Sequence, residues 1–256
     1  MSSNPYESPA PIEATPMPPQ LPAAIVPFES GHRRAVVAKV LLGFNILVSC
    51  LAALSYWMQI SLLEQAKVGQ ASEEALMMND ARVGLIALAE LAILISTAVL
   101  FLMWFHRVYR NLPALGAAGL RFTPGWVVGY WFIPFANLVR PVQAAGEMFR
   151  GSDPALNETW GTAWQRRPGS VLVGSWWAIW LISNIYDNFS MRISLATESI
   201  ESLISSSWLS IVGAALNILA ALLAIAMITS IDRRQEVKYE QRFRQGQPVA
   251  VELTTG

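Results

Sequence analysis

Four apolar runs separated by charged loops set the plan of the chain. They fall at about 36–58, 83–105, 171–186 and 208–231. A helix needs about 20 predominantly apolar residues to cross a hydrocarbon core, so each run predicts a membrane-crossing helix. A fifth segment, 124–149, is aromatic and broken by Pro134 and Pro141. From Asn137 its polar residues recur at Arg140, Gln143, Glu147 and Arg150, steps of three and four that predict one wet helix face. Leu138, Val142, Ala145 and Phe149 are expected on the apolar side, against the acyl boundary of the membrane.

The charges between the runs predict the topology. Arginine and lysine near span ends stay cytoplasmic, and they cluster at 32–34, 106–121, 150–167 and 233–244. The loops at 64–82 and 187–201 are acidic and are expected outside. Four crossings satisfy this pattern only if both ends of 124–149 lie on the cytoplasmic side. That segment is therefore expected to be a re-entrant or interfacial hairpin. Irregular backbone at membrane depth survives only against protein or a wet cavity, so the hairpin should pack among the helices, with Trp126, Tyr130 and Trp131 at headgroup level.

Composition narrows the class. Apolar residues make up 54% and charged residues 14% of 256, against about 25% charge in a soluble domain. Net charge is zero, which argues against a nucleic-acid partner, because such binding needs clustered basic surface. The single cysteine, Cys50, excludes an internal disulfide and a Cys-based metal centre. Residues 1–34 form a proline-rich tail expected to be disordered and cytoplasmic, and 232–256 a basic cytoplasmic tail. The membrane domain is expected at 35–231. Asn157-Glu-Thr159 fits a glycosylation triplet but falls in a loop expected to be cytoplasmic.

Trp104, Arg107, Asn111, Gly116, Pro124-Gly-Trp126, Trp131-Phe-Ile-Pro134, Asn137-Leu and Pro141, followed by Trp176-Trp177, resemble the bacterial membrane family known as domain of unknown function 4328 over roughly 35–235. The resemblance implies a bacterial inner-membrane location and marks these positions as the family signature. It brings no activity, catalytic residue or cofactor with it.

Candidate chemistry is sparse. Glu90 lies about eight residues into the second run, roughly 12 Å along a helix axis. An ionisable group at that depth is a functional candidate by default, with Asn137, Arg140, Asn45, Asn184 or Asn217 as partners, and helix gluing as its structural alternative. Arg107, Arg110, Arg121 and Arg140 can bind anionic headgroups or a partner, or set topology alone. Asn111 and Asn137 suit caps and turns. Trp176, Trp177 and Trp180 sit too deep for an interface belt and are expected against the hairpin or another helix. No HExxH pair, P-loop or nucleophile elbow is present, so neither an enzyme, a metal nor a cofactor is expected. The sequence thus predicts an all-α, multi-pass membrane protein with four spans and a hairpin. Its expected role is a scaffold or regulatory subunit for a lipid or protein partner, with a small transporter or channel using Glu90 and the hairpin as the alternative.

Overall fold

The computed structural model describes residues 27–156, 161–195 and 199–244. Residues 1–26 of the expected disordered tail, the Asn157 triplet and the end of the basic tail lie outside the described residues. The order is α1 (His32–Lys67), α2 (Glu73–Arg110), α3 (Pro124–Gly129), α4 (Arg140–Gly151), α5 (Val171–Leu195) and α6 (Ile200–Arg244). Among the described residues there is no strand, only an isolated bridge between Ala117 and Gly161. The protein is all-helical.

Four crossings are expected from the sequence, and length with apolar composition singles out three helices, α1, α2 and α6. The outward faces of α1 and α2 carry Phe44, Leu47, Leu51, Leu88, Leu91 and Leu94, all exposed. Apolar surface of that extent belongs in lipid, since soluble chains rarely leave contiguous patches beyond a few hundred Å². The chain is a membrane protein.

Local signals explain the helix ends. The Ser72 hydroxyl caps α2 by accepting from the Ala75 N–H at 3.2 Å. Glu73 and Glu74 in its first turn and Arg107 and Arg110 in its last complement the helix dipole. Pro124 and Pro141 sit in the first turns of α3 and α4, where a missing N–H costs nothing. Pro141 therefore starts a helix instead of interrupting one.

Between α3 and α4 the chain makes two 3₁₀ turns, Tyr130–Phe132 and Ala136–Leu138. At their junction Phe135 takes φ 64°, a left-handed conformation uncommon for a bulky side chain. Its ring is 84% exposed beside Phe132, itself 73% exposed.

The expected wet face of the 124–149 segment needs correction. Asn137 lies in a 3₁₀ turn outside α4, and Glu147 is buried with Ala144, Ala145 and Met148. Glu147 turns inward because the Tyr109 hydroxyl donates to its Oε2 at 2.6 Å. Of the expected apolar side, Ala145 is buried, Val142 and Phe149 are partly buried against the core, and Leu138 stays exposed.

α6 is the spine of the bundle. It packs against α1 and α5, and α1 packs against α2. α2 and α5 make no extensive contact with each other, so the layer curves and leaves a cleft between its two outer helices. α6 also runs 13 residues past Ile231 to Arg244. The first part of the expected basic tail is therefore helix, with Asp232, Gln235 and Lys238 buried.

Candidate functional site

The α3–α4 end of the bundle is a hydrogen-bonded knot. Asn111, just past α2, clamps the peptide backbone of Glu29. It donates from Nδ2 to the Glu29 carbonyl at 2.8 Å, and its Oδ1 accepts the Glu29 N–H at 3.3 Å. The same Nδ2 reaches Gln235 Oε1 at 3.2 Å, while Gln235 Nε2 donates to the Val108 carbonyl at 2.9 Å and to Ser152 Oγ at 3.1 Å. Arg107 pairs with the Glu29 carboxylate, Phe28 stacks on Tyr239 with centroids 4.2 Å apart, and His32 Nδ1 lies 2.8 Å from Asp232 Oδ2. The stretch from residue 28 is thus strapped to α2 and α6 rather than loose.

The α6 cations close the carboxyl end of α4. Lys238 Nζ donates to the Gly151 carbonyl at 2.8 Å, and the Arg234 guanidinium sits 3.7 Å over the Phe149 ring. Carbonyls at a helix end lack helical partners and favour cations. Burial raises the Asp153 pKa, but the Ala155 N–H, Arg167 and Arg234 outweigh it, and the carboxyl is held below its usual range.

The four arginines singled out in the sequence do not converge. Burial and the charges of Arg110, Arg107 and Arg34 lower the pKa of His106 from its ordinary 6.5, which marks a basic cluster at the end of α2. Arg140 lies elsewhere, 5.8 and 5.9 Å from the Phe122 and Tyr130 rings and 3.1 Å from Gln143. Arg121 is exposed, and its backbone N–H reaches Glu147 at 3.3 Å.

The His106 shift has a consequence for stability. Its folded form resists protonation, so stability is intact above pH 6.5 and falls as pH drops below 6.5 through the lower folded value. His106→Gln is expected to flatten that part of the pH profile of thermal unfolding; an unchanged profile would count against the basic cluster.

Above the knot lies the cleft, a cavity of about 400 Å³. Its floor is aromatic. Trp131, expected at headgroup level, is instead packed edge-on to Phe101, Phe105, Trp177 and Trp180, with centroids 5.3–5.8 Å apart. Such T-shaped contacts suit the ring quadrupoles. Trp177 and Trp180 stack at 4.8 Å, and Trp177 Nε1 donates to the Leu138 carbonyl at 3.1 Å. The tryptophans of α5 thereby seat the hairpin. Small residues, Ala220, Ala221 and Ala224, form the back wall on α6.

The far end of the cleft is polar. Asn45 of α1, Asn184, Asp187 and Asn188 of α5 and Asn217 of α6 meet there. Asp187 accepts from Asn217 Nδ2 at 3.1 Å. Expected in an outer loop, Asp187 belongs to a helix continuing to Leu195 and faces the bundle. Gly213 makes this approach possible: a Cβ there would come within 3.0 Å of Asp187 Oδ1.

Glu90, half-buried on α2, makes no hydrogen bond or ion pair among the described residues, and its electrostatic neighbours are Asp187 and Tyr56. Asn217, expected as a partner of Glu90, serves Asp187 instead. Asn137 keeps a buried Oδ1 without a partner. No helix packs closely at Gly174 on α5, where a Cβ would meet nothing within 4 Å. Among the described residues no three His, Cys, Asp or Glu side chains group to hold a metal.

Sequence reasoning missed Asp187, Thr97 and Gln235. Asp187 had a signal, since Trp180, Asn184 and Asp187 continue one helical face at steps of four and three. Gln235 had a similar one in the recurrence of Ile228, Ile231, Gln235 and Lys238. Thr97 had none.

These elements define an all-helical membrane protein with an aromatic-floored, polar-ended cleft between two of its helices. The chain belongs to the family described as Domain of unknown function (DUF4328), whose model matches residues 69–233. The match leaves out α1, which the expected range of 35–235 had included. Nothing matches the chain among the curated proteins or the solved structures compared with it. The signature positions read here as structure: Trp104 is fully buried, Asn111 ties the knot, Trp131 and Trp176 line the floor, and Trp177 bonds the hairpin behind it. Gly116 takes φ 83°, which only glycine adopts freely.

Proposed function

We propose that the protein is a non-enzymatic subunit of a bacterial inner membrane that holds a lipid-like partner in the α2–α5 cleft and presents a regulated cytoplasmic face. α1, α2, α5 and α6 cross the membrane, both termini are cytoplasmic, and 124–149 is a re-entrant hairpin whose exposed Phe132 and Phe135 dip into the acyl region. The observation that carries this is the sparse contact between α2 and α5, which meet at the Phe101 and Trp176 rings and leave an open cleft beyond them. A bundle that needed only to fold would close that gap, because apolar walls facing a void forgo dispersion contacts. Arg110, Arg121 and Arg140 are placed at headgroup phosphates, and Arg107 is assigned to the Glu29 strap.

Ala98 lines the cleft and is exposed, so Ala98→Trp should fill the cleft without disturbing the core. Native mass spectrometry from lipid nanodiscs is expected to show a retained lipid-like adduct on the wild type and its loss in Ala98→Trp. Identical adducts on both proteins would sink the proposal.

A transport role is the second reading, favoured by the two carboxylates Glu90 and Asp187 beside a cleft floored by the hairpin. Under that reading Glu90→Gln abolishes pH-dependent flux in reconstituted vesicles. A glutamate that only glues helices leaves flux unaltered.

A further inference from the structure

We infer that the cleft takes a hydrophobic monocation, its apolar body against Trp131, Trp176 and Trp180 and its charged head at Asp187. This rests on the proposal that the α2–α5 cleft is a ligand site, and adds the class of ligand.

The ionisable chemistry of the cleft is of one sign. Among the residues that line it Asp187 is the only ionisable one, and no lysine, arginine or histidine joins it. Glu90 stands within electrostatic reach. Neither carboxylate has an ion-pair partner among the described residues. Two neighbouring carboxyls away from water are costly to ionise without a counter-ion, and a bound cation is what would favour their charged form.

The polar shell around Asp187 is already committed. Asn217 donates to Asp187, Asn184 Nδ2 donates to the Trp180 carbonyl at 2.7 Å and Asn188 Nδ2 to the Asn184 carbonyl at 2.7 Å. Asn217 holds the carboxylate in place, the other two amides are turned to their own helix, and neutralisation is left to the ligand.

A second, independent feature points to an occupant. Thr97 of α2 lines the cleft, is only 9% exposed, and its hydroxyl has no hydrogen-bond partner. A helical threonine ordinarily bonds the carbonyl one turn back, as Thr229 does to Ile225 at 2.7 Å. A buried hydroxyl without a partner costs free energy that a polar ligand atom removes.

The aromatic floor suits the rest of such a molecule. From Trp176 to Asp187 α5 rises about 16 Å, so one ligand of amphiphile length meets both ends. A cation too short to span also gains at the ring faces of Trp180 and Trp131.

The test uses the full-length protein in nanodiscs and two probes of nearly equal size and opposite charge, tetraphenylphosphonium and tetraphenylborate. Binding is measured by equilibrium dialysis over empty nanodiscs, and native mass spectra of retained lipid are taken alongside. The wild type is expected to bind the phosphonium saturably and the borate not at all. Asp187→Asn should weaken phosphonium binding roughly tenfold or more, with Glu90→Gln weakening it in the same direction. Both variants should elute and absorb in circular dichroism as the wild type does; if Asp187→Asn does not, Glu90→Gln carries the test. Equal binding of the two ions, or phosphonium binding indifferent to both substitutions, overturns the cationic ligand. If lipid retention still distinguishes wild type from Ala98→Trp, the cleft remains a ligand site of another class. If it does not, the cleft proposal falls as well.

Discussion

Trp131→Ala is expected to cost about 3 kcal/mol or more, the largest loss for any single change outside the knot. Truncating a packed aromatic removes both its transfer free energy and the contacts around it, about 3–5 kcal/mol in soluble cores. Trp131 meets rings from two helices, Phe101 and Phe105 of α2 and Trp176, Trp177 and Trp180 of α5. It is also the main bridge between those two helices, which make no extensive contact of their own. The melting temperature in detergent should fall by on the order of 10 °C. The near-ultraviolet circular dichroism of the stacked Trp177–Trp180 pair should collapse with it. Trp57→Ala, at an exposed ring touching Trp208, should cost far less. Equal losses for the two would mean that Trp131 does not bridge the helices.

Asn111→Ala should be comparably damaging by a different route. One amide satisfies both backbone groups of Glu29 and the buried Oε1 of Gln235. Each hydrogen bond contributes about 1 kcal/mol, and each buried group left without a partner costs about 1–3 kcal/mol. A total near 3 kcal/mol follows once water reaches Glu29. The signature distinguishing this from general destabilisation is local. Amide hydrogen exchange at 29–31 should rise together with exchange at 108–112, and the segment before His32 should become cleavable by protease while the cleft stays protected. Protection unchanged at 29–31 would remove the strap.

Much of the helix plan was legible because membrane-crossing runs advertise themselves through length and apolarity. Pro141, expected to break a helix, starts one instead, because a proline early in a segment serves either role until the helix register is known. What stayed hidden depended on partners distant in sequence. Glu147 looked like a wet-face residue, because three- and four-residue spacing reports a face without saying what covers it, and Tyr109 lies 38 positions away. Asp187 was read as a loop acid because a charge after an apolar run usually ends a span. Here Asn217 and the bare Gly213 backbone let it stay within the helix pair. The strap was illegible because proline-rich sequence carries no pattern for a backbone clamp supplied by Asn111. The cleft left no sequence trace at all, because it lies where α2 and α5 make no extensive contact.

All of this depends on α5 crossing and the hairpin turning back, so sidedness is the measurement to make first. With Cys50 replaced by alanine, single cysteines are placed at Ala114 and at Gly169, where a side chain meets open space, with Gln70 as the outer reference. Membrane-impermeant maleimide applied to intact cells should label the Gln70 position alone, and applied to inverted vesicles should label Ala114 and Gly169 together. Labelling of Ala114 and Gly169 from opposite sides would make 124–149 a crossing segment and contradict the four-span bundle and its cleft.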